Sequence, residues 1–345
     1  MAGEDEMVTI KDVAKLAGVS TATVSYVINR SRPVSEERAR RVLEAVEALR
    51  FAPSRRARGL RKGTTATIGL VIDDVTNRFA SQFIAGLESA ASSFEYATIL
   101  SDLQRDPANE ERSLTILLEE KVDGIVYAGF GQAESRLVEL FAGGSAIVAV
   151  DKPPRSRELP AVLIDNAEGV RSIMRHLMGR GHRHILYIAG LKINRNSEIR
   201  AGEFERFSRE HGLPCVDGSV FYGDYTLNHG YRTTLRLLDE GREVTAIVCG
   251  DDLIAFAVIA ALKSRGVRVP DDVAVVGFDD DPIAPLFDPS LTTVRYPMRE
   301  MGEQAFRLLL KYIRGRRKTV QRVVLNTELI VRRSTTAGFR DFHTG

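Results

Sequence analysis

The spacing of apolar positions changes once along this chain, near residue 64. Before that point apolar residues recur at helical intervals. Ile10, Val13, Ala14 and Ala17 form one set, Val24, Val27 and Ile28 a second, and Val42, Leu43, Val46 and Leu49 a third. The spacing predicts three short amphipathic helices. Thr9 with Asp12 three residues on has the form of a capping box and starts the first. Gly18 offers the left-handed conformation of a tight turn, and Ser20 caps a second helix that reaches about Asn29. The third is capped at Ser35 and runs to about Phe51, with Arg38, Arg40 and Arg41 outward, and Pro53 stops it. Beyond Thr64 short apolar runs alternate with amphipathic stretches. Strands are expected at 67–72, 97–100, 123–127, 146–150, 184–189, 246–249 and 273–277, with helical patterns such as 81–93, 109–120, 167–179, 229–240 and 252–265 between them.

This βα alternation implies parallel sheets covered on both faces by helices. The series is too long for one open sheet, so two doubly wound lobes are expected. Ligands in such folds bind beyond the carboxyl ends of the strands. The fold class is therefore an all-α headpiece followed by an α/β core of two parallel-sheet lobes.

The second short helix has an unusual composition. GVSTATVSYVINR (18–30) contains no Leu, Glu or Lys, and its β-branched residues are weak helix formers. Val24, Val27 and Ile28 face inward. Thr21, Ala22, Ser25, Tyr26 and Asn29 form the opposite stripe, which is small, neutral and hydrogen-bonding where a solvent face would carry Lys and Glu. Short side chains let a helix sit deep in a major groove, where hydroxyls and amides meet base edges. Two helices joined by a short Gly-containing turn suit a helix-turn-helix. An αα-hairpin without a DNA role has the same pattern. Next, SRRARGLRKG (54–63) is basic and carries a single large apolar residue, Leu60, among Arg55, Arg56, Arg58, Arg61 and Lys62. It suits a short helix lying in a minor groove with Leu60 wedged between base steps; a flexible basic linker is the other reading.

Charge sharpens this picture. Residues 8–63 hold 13 Lys/Arg against 5 Asp/Glu, although the whole chain of 345 residues is only +2. A basic segment on a near-neutral chain is the signature expected for phosphate contact, and a solvated charged surface is the alternative. The two cysteines, Cys215 and Cys249, lie far apart, which suits a reducing cytoplasm and gives neither a disulfide framework nor a CxxC metal site. No apolar run approaches a membrane span, and the opening MAGEDEM has no apolar signal region, so a cytoplasmic chain without membrane contact is expected.

Candidate chemistry gathers where the strands end. Asp73-Asp74 leads to Asn77-Arg78-Phe79, and Asp102, Asp251-Asp252 and Asp279-Asp280-Asp281 follow later strands. Adjacent carboxylates are compatible with metal binding or acid/base work. No HExxH, P-loop, GxGxxG or Cys/His cluster accompanies them, and His182 and His184 lack a third partner. Neither a metal nor a cofactor is expected. Solvated helix caps explain any one of these acids. Together with an aromatic and an Arg they suit a polyhydroxylated ligand.

These segments resemble the LacI family of bacterial transcription regulators over nearly the whole chain. VTIKDVAKLAGVSTATVSYVINRSRPVSEERARRVLEAVEALRFAPSRRARGL is similar to the family's headpiece and hinge, while DGIVY, GHRHILYIAG, RVPDDVAVVGFDD and PSLTTVRYP resemble its core. The resemblance implies a headpiece at 1–53, a hinge at 54–63 and a core like the type I periplasmic binding proteins at 64–340. The core lobes would be roughly 64–160 with 292–320, and 161–291 with 321–340. It implies base-reading residues at Thr21, Ala22 and Tyr26, Ser20 and Thr9 near phosphates, and Leu60 with Ala57 in the minor groove. Ser25, Asn29 and Arg55 complete the DNA-binding set expected here. Effector contacts would fall on Arg78, Phe79, Asn194, Asn196, Arg200, Tyr225, Asp251 and Asp279. Three positions depart from the family pattern. A loop that often reads N-P-F-F is Asn77-Arg78-Phe79-Ala80, a common Gly is Glu203, and a frequent Asn is Asp251. Arg78 suits an anionic ligand group, whereas Asp251 and Asp279 favour hydroxyls.

The family implies a repressor that binds a pseudo-palindromic operator as a homodimer under effector control, and the strand-end carboxylates make a sugar or sugar derivative the expected effector. The tail RRSTTAGFRDFHTG lacks the leucine heptad by which some members form tetramers, so a dimer is expected. A solute-binding protein of a transport system fits the core but not the basic headpiece. A sugar-processing α/β enzyme would need a nucleophile–base pair or a metal set, and neither is visible.

Overall fold

The computed structural model describes residues 8–29, 32–51, 64–76, 78–214, 218–315 and 319–336. The chain divides after Ala66 into two compact units.

In the first unit, α1 (Ile10–Ala17), α2 (Thr21–Asn29) and α3 (Glu36–Ala48) close around one small core. Val13, Ala14, Ala17, Val24, Val42 and Ala45 are buried in it, with Ile10, Val27, Ile28, Val46 and Leu49 packed against them. The carboxylate of Asp12 accepts the Thr9 N–H at 2.8 Å and the Thr9 hydroxyl at 2.6 Å, fixing the start of α1. Gly18 ends that helix at φ 61°, and the Val19 N–H returns to the Ala14 carbonyl at 3.0 Å. The Ser20 hydroxyl caps α2 by accepting the Thr23 N–H at 3.1 Å. Two side chains of α3 lie elsewhere than the pattern predicts. Leu43 is 57% exposed, because the inward stripe runs Val42, Ala45, Val46, Leu49. Arg41 turns back and donates to the carbonyls of Ala17 and Gly18, so it ties α3 to the helix turn and is half-buried where an outward side chain was expected. Ser35 occupies the cap position of α3 without a side-chain bond, and the helix stops at Ala48, short of Phe51.

The second unit contains two six-stranded sheets. The strands are β1 (Thr67–Ile72), β2 (Ala97–Asp102), β3 (Gly124–Ala128), β4 (Ala146–Val150), β5 (Ala161–Ile164), β6 (Ile185–Ile188), β7 (Val220–Phe221), β8 (Ala246–Cys249), β9 (Ala274–Asp279), β10 (Thr292–Arg295), β11 (Arg322–Leu325) and β12 (Glu328–Ile330). The helices are α4 (Arg78–Ser92), α5 (Asn109–Glu119), α6 (Glu134–Ala142), α7 (Asn166–Gly179), α8 (Arg195–Glu210), α9 (Leu227–Asp239), α10 (Asp252–Ser264) and α11 (Met298–Ile313). The first sheet has the order β11-β5-β4-β3-β1-β2 and is parallel throughout. The second, β12-β10-β9-β8-β6-β7, is parallel except for the antiparallel β10–β12 pair. Strands β3, β4, β6 and β8 are buried along their whole length, which is why their sequences read as continuous Val/Ile runs. Helices α4 and α11 pack backbone to backbone. A Cβ on Gly86 would lie 2.0 Å from the Arg299 carbonyl oxygen, and one on Gly302 would lie 2.2 Å from that of Phe83.

The lobe boundaries differ from those expected. β5 and β11 belong to the first sheet, where residues 161–164 and 321–325 had been assigned to the second lobe, and β10 belongs to the second sheet, where residues from 292 on had been assigned to the first. The chain therefore crosses between sheets after Ile164, after Arg295 and after Leu325. AVLI is too short to stand out as a strand by pattern, yet it extends the sheet edge through Ala149↔Ala161 and Val150↔Val162 with all four residues buried. The strands β5, β7, β10, β11 and β12, each of two to four residues, are the ones the pattern did not predict.

Candidate functional site

Two sets of functional residues were expected, one on α2 and one at the strand ends of the core. On α2, Val24 is fully buried and holds the helix to its neighbours, a contribution of about 1.5–3 kcal/mol. The outer stripe remains accessible: Thr21 and Ala22 are exposed and Ser25 and Tyr26 are half-buried. The Arg32 guanidinium lies 5.2 Å from the Tyr26 ring centroid, adding positive charge beside the largest side chain of the stripe. Ser20 is engaged in its cap, and the Thr9 hydroxyl donates to Asp12. Both lie at exposed helix starts, that of Thr9 already holding the Asp12 carboxylate. Asn29 closes α2, but its side chain lies outside the described residues, as do Arg55, Ala57 and Leu60.

The expected effector residues separate into three groups. Arg78 begins α4 and Phe79 follows it, but their side chains lie outside the description. Asn194 is the cap of α8: its Oδ1 accepts the N–H groups of Asn196 at 2.9 Å and Ser197 at 3.3 Å. The other five converge. Arg200, 4% exposed, lies flat on the Phe278 ring with its guanidinium 3.6 Å from the centroid. Its Nε donates to Asn166 Oδ1 at 2.6 Å and its Nη1 to the Gly250 carbonyl at 2.7 Å, with Asp279 Oδ1 at 4.0 Å. Asn196 donates from Nδ2 to Asp151 at 2.8 Å and accepts from Asn166 Nδ2 at 3.0 Å. The Tyr225 ring lies where any side chain on Gly190 would stand, 2.0 Å from that Cβ position. Asp251 caps α10 through the Ile254 N–H at 2.7 Å. Asp279 has φ 127°, a conformation costly for a residue with a side chain and found most often at functional sites.

Electrostatics distinguish these acids. Burial raises Asp251 to about 6, against the opposing pull of the Ile254 N–H and Arg200. Burial also pushes Asp279 well above the usual carboxylate range, with Arg200 opposing and Asp251 reinforcing the shift. The neighbouring Asp252 is raised to about 7 by burial, although Thr293 and the Asp281 N–H bond to its carboxylate. Tyr225 is pushed to about 12, again mainly by burial. Such a pair of desolvated carboxylates beside one guanidinium suits hydrogen-bond donors that replace lost water.

The remaining acids have structural roles. Asp74 accepts from Thr76 and Arg105, Asp102 from the Val75 and Gln104 N–H groups, and Asp280 from Arg295 and Arg332. Asp281 ties its own loop by accepting the Ile283 N–H at 2.7 Å. Among the described residues, no three His, Cys, Asp or Glu side chains form a group that could hold a metal ion.

Several cleft residues were not singled out from the sequence: Asp151, Lys152, Asn166, Phe278 and Tyr296. Asp151 directly follows β4 and is found by the rule that located the others, strand end followed by a polar residue. Lys152 is buried with its Nζ 2.8 Å from Asp73 and 3.5 Å from Asp151. Burial alone would lower its pKa, but the two carboxylates outweigh that and the net shift is upward. Asn166 and Tyr296 sit where the chain crosses between sheets, and no local pattern marks those crossings.

Three helices with a small, uncharged outer face on the second, followed by a two-sheet α/β body with a buried polar network at its strand ends, have the architecture of a DNA-binding regulator with a ligand-binding body. Comparison with known proteins makes the class specific. Residues 9–54 match the model of bacterial regulatory proteins of the lacI family, and residues 174–335 match that of a periplasmic binding protein-like domain. Catabolite control protein A of Priestia megaterium is 34% identical over 309 residues, 89% of this chain and 92% of the relative. Among solved structures, a lac repressor dimer bound to operator and the anti-inducer ONPF has a TM-score of 0.87 at 26% identity, covering 96% of this chain and 100% of that one. The complex of the transcriptional regulator CelR with cellobiose has a TM-score of 0.72 at 31% identity, covering 95% and 99%. The chain belongs to the LacI family. It is a transcription regulator, not an enzyme.

Proposed function

We propose that this protein is a repressor that binds a pseudo-palindromic operator as a homodimer and is controlled by a small polyhydroxylated effector, a sugar or sugar derivative. The observation that carries the DNA half is the uncharged outer face of α2, on which Thr21 and Ala22 are exposed and Ser25 and Tyr26 half-buried; these four and Asn29, whose side chain lies outside the described residues, form the proposed groove-facing set. Residues 1–53 serve as the headpiece and 54–63 as a hinge in which Leu60 and Ala57 enter the minor groove beside Arg55, with Thr9 and Ser20 at phosphates. Residues 64–340 bind the effector and dimerise. The lac repressor neighbour, a dimer on operator DNA, supports the assembly. No helix among the described residues is long and apolar enough to cross a membrane, and a regulator that meets chromosomal DNA works in the cytoplasm.

The effector half rests on Asn196, Arg200, Tyr225, Asp251 and Asp279, with Arg78, Phe79 and Asn194 added from the family pattern. The largely buried carboxylates of Asp251 and Asp279 suit the hydroxyls of a sugar, and the neighbour CelR is solved as a complex with cellobiose. The effector acts only through unequal affinity for two states of the protein. The test has two arms. Selection from a random DNA pool at fixed salt should yield a two-fold symmetric site, and a thermal-shift panel of neutral sugars and sugar acids should yield a ligand that changes affinity for that site. Sequence-independent binding would defeat the first reading, and a ligand that raises stability without moving operator affinity would defeat the second.

A further inference from the structure

We propose that Arg41 is a positioning residue for DNA reading: it fixes the entry of α2 so that the outer face of that helix meets base edges, and it acts through the helix turn, not through a phosphate. The proposal rests on reading α2 as the helix that contacts DNA. Charge alone would assign Arg38, Arg40 and Arg41 of α3 alike to phosphates. The geometry separates the last two. Arg40 is exposed, and its Nη1 lies 2.8 Å from Glu44 of its own helix. Arg41 is half-buried, and its Nη2 donates to two carbonyls of another element, Ala17 at 2.5 Å and Gly18 at 3.2 Å. These lie at the end of α1, where the last carbonyls of a helix have no partner within it and a cation is favoured. The contact needs glycine at the turn, because a Cβ on Gly18 would stand 2.3 Å from Nη2.

The tie matters because little else fixes α2. Its nine residues, TATVSYVIN, are mostly weak helix formers. Among its described side chains Val24 alone is fully buried, while Val27 and Ile28 are half-buried. Gly18 is followed by Val19, by the cap Ser20, and then by Thr21 and Ala22, the exposed start of the reading face. A shift of the Gly18 carbonyl therefore passes through two residues into that face. The reading helix is held by one guanidinium at its entry and by the small core around Val24 in its middle. Hydrogen bonds to base edges demand exact placement, whereas attraction to phosphates does not. Loss of Arg41 should cost sequence preference and spare general DNA affinity.

The test uses the full chain with the duplex that the wild type selects from a random pool, beside a scrambled duplex of the same length. Arg41→Met removes the donors and keeps the aliphatic stem. Affinity for the selected duplex should fall about tenfold or more, with amide exchange at 18–22 about tenfold faster. Affinity for the scrambled duplex should stay within about twofold, at an unchanged salt slope. Equal losses on both duplexes, with a salt slope shallower by about one, would make Arg41 a phosphate contact and overturn the proposal. An unchanged preference would overturn it as well. If Arg41→Met unfolds the headpiece, seen as fast exchange throughout 10–48, Arg41→Lys decides. Lysine keeps the charge but ends one bond short of Nη2. Positioning then predicts a weaker preference for the selected duplex at the wild-type salt slope, whereas a phosphate contact predicts wild-type behaviour on both duplexes. A wild type that selects no duplex refutes the reading of α2, and the proposal with it. A selected duplex that both variants read as the wild type does refutes the proposal alone.

Discussion

The outer face of α2 and the strand-end site of the core are both built for polar contacts, but for opposite reasons. On α2 the side chains are accessible, and the groups that fix the helix, Val24 inside and Ser20 at its cap, are separate from the face it presents. In the cleft the groups available for ligand recognition also hold the fold together: Arg200 packs on Phe278, bonds to Asn166 and Gly250, and faces Asp279. A surface built first way can exchange its residues to read a new sequence at little structural cost. The cleft cannot change one residue without disturbing its neighbours.

The contrast is sharpest for Arg200→Ala, which removes the donor to Asn166 and to the Gly250 carbonyl together with the cation that faces Asp279. Core stability should fall by about 3–5 kcal/mol in urea melts. A loss below about 1 kcal/mol would mean that the cleft is as loosely built as the DNA face. Tyr26→Ala is the counterpart. It should alter operator preference by about 1–3 kcal/mol at the contacted base pair while leaving the core melt unchanged. Loss of fold in that variant would remove the distinction.

Asp251→Asn makes a smaller, pH-dependent change. Because burial raises the Asp251 pKa to about 6 from the ordinary 3.8, the folded protein binds the proton more tightly than the unfolded chain does. The wild type is therefore unpenalised below pH 4 and loses stability as pH rises towards 6. The amide variant has no such slope. The variant-minus-wild-type difference in unfolding free energy should grow from near zero at about pH 3 to about 3 kcal/mol above pH 7; a flat difference would show that Asp251 is not desolvated. Last, Ser20→Ala should cost the headpiece about 1 kcal/mol in a thermal melt, the ordinary value of one cap.

The same contrast explains what could be read from the sequence. The headpiece is made of local relations, caps and i, i+3, i+4 spacings, so its three helices and the face of α2 were legible directly. Even there, Arg41 was misplaced, because its partners at Ala17 and Gly18 are more than twenty residues away. In the core, the long buried strands were legible and the short ones at the crossings were not, since β5 owes its conformation to β4 beside it. The strand-end rule found Asp251 and Asp279. It could not show that Asp74, Asp102 and Asp280 serve loops, or that Asn166 and Tyr296 meet the cleft, because those facts depend on which strand ends the topology brings together.

The central claim is that α2 reads DNA sequence. It is tested most directly by selection from a random duplex pool at ~0.15 M salt with wild type and Tyr26→Ala in parallel, at an ionic strength where phosphate attraction alone binds weakly. The expected result is one two-fold symmetric consensus for the wild type and a different or relaxed base preference for the variant at the position Tyr26 contacts. The same unselected pool from both proteins, or the same consensus from both, would contradict it.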